Sequence, residues 1–143
     1  MDFKFSIYAR LVNNLKGGFV YLILTSKQLL NVTDPVEFSI ETDMTAFFDG
    51  FGSSHNIVAH EEKNMIYAVG TARTSPCQGG LYMVDVSDPA NPTSPGCVNE
   101  DGYVHDAQCV VYTGPDEAYW GKEICFGYNE DTVRYFQRTE KST

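Results

Sequence analysis

"GFGSSHNIVAHE" (50–61) and "DGYVHDAQCVVY" (101–112) read as two copies of one element. Gly52 aligns with Gly102, His55 with His105 and Asn56 with Asp106, each pair fifty positions apart. In both copies a polar motif leads into an apolar, partly β-branched run, the pattern of a strand start. A second motif recurs with nearly the same period. "NVTDP" (31–35) and "DVSDP" (85–89) stand fifty-four positions apart. In V-[ST]-D-P the Asp or Ser/Thr side chain can accept a backbone N–H two residues on, and Pro fixes φ, so the element ends a strand and turns the chain. Asp88 is therefore read as a turn former. A repeat of about 40–50 residues carrying four short strands is the signature of a propeller blade.

The rest of the chain has the same texture. "FVYLILT" (19–25), "VEFSI" (36–40), "HNIVA" (55–59), "MIYAVGT" (65–71), "GLYMVDV" (80–86), "QCVVY" (108–112) and "EICFGY" (123–128) are strand candidates, with a further short strand near Cys97. Turn signals such as "SPCQGG" and "SDPANPTSPG" separate them. The one helical candidate is "IYARLVNNLK" (7–16), which ends at Gly17-Gly18. These features predict an all-β fold: a partial β-propeller of about two blades, each a four-stranded antiparallel meander, with open edges.

The residues that carry the repeat also carry a resemblance. "LYMVDVSDPANP" (81–92) resembles the LVIVD-type repeat. With G-x-x-H-N, GGL-x-MVD, H-D-A-Q-C and G-x-EICF, residues about 29–132 resemble the bacterial choice-of-anchor B family of LVIVD-repeat proteins. The resemblance implies a β-propeller, usually exported, with a variable C-terminal surface anchor. It implies little about activity. Residues 1–28 match only loosely and are expected to form a strand or short helix; 29–136 are assigned to the blades and 137–143 to a tail. The chain stops at "RYFQRTEKST", where the family pattern would continue into further blades. An incomplete propeller leaves unpaired edges, so a homo-oligomer or edge-strand pairing is the expected partnership.

Composition narrows the classes. The 143 residues are 43% hydrophobic and 20% charged, a globular balance, and the net charge is −9. Ten Lys and Arg, unclustered, exclude a phosphate-backbone binder, so no nucleic acid partner is expected. "FVYLILT" has seven residues, too few for a transmembrane span, and no signal-peptide cleavage pattern follows it. The location expected from the family is extracellular, periplasmic or the cell surface.

Four cysteines, Cys77, Cys97, Cys109 and Cys125, lack the close pairs of a zinc ribbon. Two disulfides are the preferred reading, with four free buried thiols as the alternative. Of three connectivities, Cys77–Cys97 with Cys109–Cys125 is favoured because each closes a hairpin-sized loop.

The ligand-binding candidates are His55, Asn56, His105, Asp106 and Gln108. In a propeller the strand that begins at this motif lines the central channel, where polar groups of successive blades converge. Recurrence once per blade favours a scaffold part that locks blade to blade. Strand alternation puts His105 and Asp106 on opposite faces unless the backbone bends, and puts Gln108 with Asp106. No catalytic residue is assigned. Ser53-Ser54-His55 lacks a G-x-S-x-G elbow, and Cys109 has a disulfide partner available in Cys125. The aromatic set Tyr112, Tyr119, Trp120, Phe126 and Tyr128 reads as core and hairpin packing. No cofactor is predicted, although the acidic loops "PDE" (115–117) and "YNED" (128–131) offer oxygen ligands to a divalent cation such as calcium. The expected function is a non-catalytic propeller segment that binds a partner. The alternative is an enzyme or metal-binding propeller with a channel-face site at His55, His105 and Asp106.

Overall fold

The computed structural model describes residues 5–10, 20–25, 33 and 39–137. Over these the chain is antiparallel β-structure with short helical turns. β1 (Phe5–Arg10) pairs with β2 (Val20–Thr25) as a hairpin. A four-stranded sheet follows in simple meander order: β3 (Asn56–His60), β4 (Met65–Val69), β5 (Leu81–Asp85) and β6 (Thr93–Val98). A three-stranded meander comes next: β7 (Val104–Val111), β8 (Glu123–Asn129) and β9 (Val133–Gln137). The second meander thus shows three strands among the described residues, where four per repeat were expected.

Three local expectations change. The helix foreseen over 7–16 is strand over its first part, since Phe5–Arg10 is β1, and its residues 11–16 lie outside the described residues; the β-branched and aromatic "FSIY" (5–8) pairs with "LILT" (22–25) across the hairpin. "VEFSI" does not end as a strand. Its residues 36–38 lie outside the described residues, and Ile40 opens a single helical turn, α1 (Ile40–Asp43), capped by the Ser39 side chain. "VRYFQ" (133–137) forms β9, a strand the periodicity had not singled out.

β4 shows why the four-stranded sheet holds. All five of its residues are buried. Met65, Tyr67 and Val69 face the three-stranded sheet and pack with Leu81, Val104, Ala107, Cys109 and Cys125. Ile66 and Ala68 face the other way, packing with Val84, Val86 and Phe51, under Phe48 and Tyr82. Each apolar side chain so buried contributes about 1.5–3 kcal/mol.

The turns follow the sequence reading. Asp88 accepts the Ala90 N–H at 3.1 Å and the Asn91 side-chain N–H at 2.8 Å. Those two donors, Asn91 first, hold its carboxyl below the ordinary range. Two residues of the acidic loops make structural contacts. Asp116 caps the 3-10 turn Glu117–Tyr119, and Glu130 pairs with Arg73.

Of the cysteines, Cys109 and Cys125 are disulfide-bonded. They stand directly opposite each other in the β7–β8 ladder, which brings both side chains to one face. Cys77 and Cys97, the other expected pair, are free thiols. Cys77 lies in the turn before β5 while Cys97 stands opposite Tyr82 within β5–β6, so the two are not ladder partners. Burial, and then the neighbouring Cys97 thiol, push the Cys77 thiol far above its usual range.

Candidate functional site

The two copies of the repeat motif meet. The His55 and His105 rings lie 4.1 Å apart between centroids, tilted by 47°. Asn56 donates its side-chain N–H to Asp106 Oδ1 at 3.1 Å, across fifty residues of sequence. Aligned residues of successive repeats are therefore in contact, and β3 and β7 begin side by side.

Backbone geometry sets this up. The β7–β8 register shifts between Val104 and Asp106, which makes His105 the extra residue of a β-bulge. The bulge re-aims both neighbours: His105 against His55, Asp106 against Asn56. The bend that simple alternation would forbid is thus present. Asp106 Oδ1 also accepts the Ala107 N–H at 2.8 Å, and Asn56 Oδ1 accepts the Ile57 N–H at 2.8 Å, which fixes both side chains at their strand starts. Gln108 does not join them. It is exposed opposite Phe126, so the expected Asp106–Gln108 polar row is not the organising feature.

A platform lies beneath the imidazoles. Tyr103 is 6.5 Å from His105, ring to ring, and Arg73 lies 4.6 Å over the Tyr103 ring. Tyr103 fits there because Gly70 (φ +61°) and Gly79 (φ +87°) bear no side chain; a Cβ would come within 2.6 Å of the Tyr103 hydroxyl at Gly70 and within 2.9 Å of its ring at Gly79. Arg73 then pairs with Glu130 at 2.7 Å, linking the β4–β5 loop to the β8–β9 turn. His55, Asn56 and His105 are exposed.

A second constellation lies between the sheets, and sequence reasoning missed it. Tyr67 donates its hydroxyl to Glu123 Oε1 at 2.5 Å, and His60 Nδ1 pairs with the same oxygen. All three residues are buried. The cue was there: Glu123 directly precedes the apolar run "ICF", and His60 ends "NIVA". A carboxylate at such a strand start needs a partner. With exposures of 7% for His60 and 4% for Glu123, the group is closed to substrate and joins the sheets.

The chemistry of these sites is limited. Among the described residues no group of three His, Cys, Asp or Glu gathers as metal ligands. Cys109, in its disulfide, is no nucleophile. The expected aromatic core is split. Tyr112 and Tyr119 pack edge-on at 6.0 Å, but Trp120, whose indole N–H bonds Gly114 O, is exposed, as are Phe126 and Tyr128 on the outer side of the three-stranded sheet. No described helix is long and apolar enough to cross a membrane. Comparison with family models, curated proteins and solved structures finds no match to this chain.

Proposed function

We propose that this chain is a segment of an LVIVD-type β-propeller of the choice-of-anchor B kind, exported and surface-associated, which acts by binding and not by catalysis. One observation carries the reading: His55 meets His105 and Asn56 meets Asp106, so equivalent strands of successive repeats lie side by side. Consecutive blades place their first strands in this way around a channel. The polar groups there are partnered with their own repeat equivalents, and among the described residues no nucleophile is paired with either imidazole. The exposed end of the pair, at the channel mouth, is the binding surface. The Cys109–Cys125 disulfide supports an oxidising compartment.

The test is an NMR titration of the whole chain with inorganic phosphate, acetate and calcium chloride in turn. The proposal expects one of these polar probes to shift the His55 and His105 resonances, and a His55→Ala/His105→Ala variant to stay folded without the response. If no probe moves either histidine, the binding assignment fails. Thiol titration in denaturant, expected to find only Cys77 and Cys97 reactive, checks the compartment; four reactive thiols would overturn export.

A further inference from the structure

The two meanders share a register but differ in one connection. Asn56 lies opposite Val69 and Asp106 opposite Tyr128, so Tyr67 corresponds to Phe126 and Met65 to Ile124. Between β3 and β4 the chain needs four residues (61–64); between β7 and β8 it uses eleven (112–122). Closing a hairpin does not require that length. Extra residues in one copy of a repeat go into loops, and such loops often carry binding. This one is firmly built. Tyr112 N–H donates to Lys122 O at 2.9 Å, Gly121 N–H to Tyr112 O at 3.0 Å and Lys122 N–H to Tyr119 O at 3.0 Å.

The loop folds over the outer side of the three-stranded sheet and encloses a cavity of about 260 Å³. Ile124, 4% exposed, is its floor, and Tyr112, Tyr119, Phe126 and Tyr135 are its other apolar lining. The rings meet at corners. Tyr112 and Tyr119 lie 6.0 Å apart at 70°, and Tyr119 and Tyr135 lie 6.3 Å apart at 84°. Asp116 is the one charged residue of the lining; its Oδ1 accepts the Ala118 N–H at 3.1 Å, and among the described residues it makes no ion pair.

The polar groups indicate which ligand suits this box. A sugar needs several hydrogen-bonding groups turned toward it. Here the Tyr112 hydroxyl accepts the Asp116 N–H at 3.3 Å. The Tyr119 and Tyr135 hydroxyls bond each other, which holds the Tyr119 phenol above its ordinary range and so neutral. What is left for a ligand is ring surface and one carboxylate. Aromatic faces and a carboxylate both attract positive charge. Lys122 Nζ already lies 5.4 Å from the Tyr119 centroid without lining the cavity, so this ring takes a cation in the folded chain. The net charge of −9 draws cations generally.

We propose that this cavity binds a small organic cation, a quaternary or methylated ammonium group, against the rings of Tyr112, Tyr119, Phe126 and Tyr135 with Asp116 as counter-charge. Its size, below the roughly 300–1,000 Å³ of drug-sized pockets, suits a headgroup. The site shares no lining residue with the His55–His105 end and does not rest on the propeller reading.

NMR titration of the whole chain with tetramethylammonium chloride tests it, with sodium chloride as control. The Tyr119 and Tyr135 ring resonances should shift saturably with the first salt and not with the second. Choline should bind about tenfold more tightly than its neutral isostere 3,3-dimethylbutan-1-ol. Tyr135→Ala and Asp116→Asn, both at exposed positions, keep the test open if Tyr119→Ala does not fold; binding should weaken about tenfold in the first and about threefold in the second. Cosedimentation with phosphatidylcholine vesicles separates two sources of the group: binding to vesicles as well as choline assigns a lipid headgroup, and binding to choline alone a free solute. No saturable shift with tetramethylammonium, equal affinity for choline and its isostere, or binding of methyl glucoside in their place would overturn the proposal.

Discussion

The two meanders share a register and differ in what surrounds them. At one position Tyr67 is fully buried and its counterpart Phe126 is 36% exposed; at the next pair Val69 is fully buried and Tyr128 is 40% exposed. The first sheet has an apolar cluster on each face, the second on one face only. A further difference lies on the face that the second sheet turns to the first. Cys109 and Cys125, the disulfide pair, stand where the first sheet has Ala59 opposite Ile66. The same strand pattern is thus held by packing on both faces in one sheet and by packing plus a covalent staple in the other. Burial is set by neighbours, and the repeat in sequence does not fix it.

That contrast can be broken most sharply at its central pair. Tyr67→Ala should cost about 3–5 kcal/mol, from the cavity and the lost hydroxyl bond to Glu123, while Phe126→Ala in the monomer should cost less than about 1 kcal/mol. Urea denaturation of both at equal, low protein concentration checks this. Equal costs would mean that the second face is covered within the chain. Next comes the joint between the sheets. Glu123→Ala strands His60 and the Tyr67 hydroxyl in the core and should cost about 3 kcal/mol, read from the shift in denaturation midpoint.

The staple ranks with it or just below. Cys109→Ser/Cys125→Ser opens a loop of sixteen residues, and unfolding should become easier by about 2–3 kcal/mol. Reductant should reproduce that loss in the wild type and have no effect on the variant. The smallest effect concerns the first sheet's own cysteines. Cys77 is 1% exposed with its thiol pushed up, while Cys97 is half-buried. Native alkylation, followed by peptide mapping, should label Cys97 well before Cys77.

Much of this molecule is legible in its sequence. The paired motifs and the short apolar runs indicate antiparallel meanders, and β3, β4, β5, β7 and β8 fall where those runs lie. Hairpin spacing indicated Cys109–Cys125 and, equally, Cys77–Cys97, but only the first pair is bonded, because only it consists of ladder partners. β9 was hidden because "VRYFQ" alternates around an arginine and has an exposed outer row, so its apolar signal is weak. The strand at Phe5–Arg10 was masked by residues such as Ala9 and Arg10, which suit a helix as well; pairing with β2 decides it. At the candidate site the residue types were readable, but their geometry was not. Period-2 alternation separates His105 from Asp106, and only the bulge, a feature of pairing and not of composition, turns both toward β3. The Tyr67–Glu123–His60 group escaped because its members lie on three strands whose contact depends on how the sheets stack.

Equivalent residues of the two repeats touch, which is what sets β3 beside β7. A NOESY spectrum of the folded chain, with ring-proton assignments for His55 and His105, tests it directly. Centroids 4.1 Å apart predict strong cross-peaks between the two imidazoles, accompanied by contacts from the Asn56 side-chain amide to residues 105–107. Assigned rings with no cross-peak between them would contradict the side-by-side arrangement of β3 and β7.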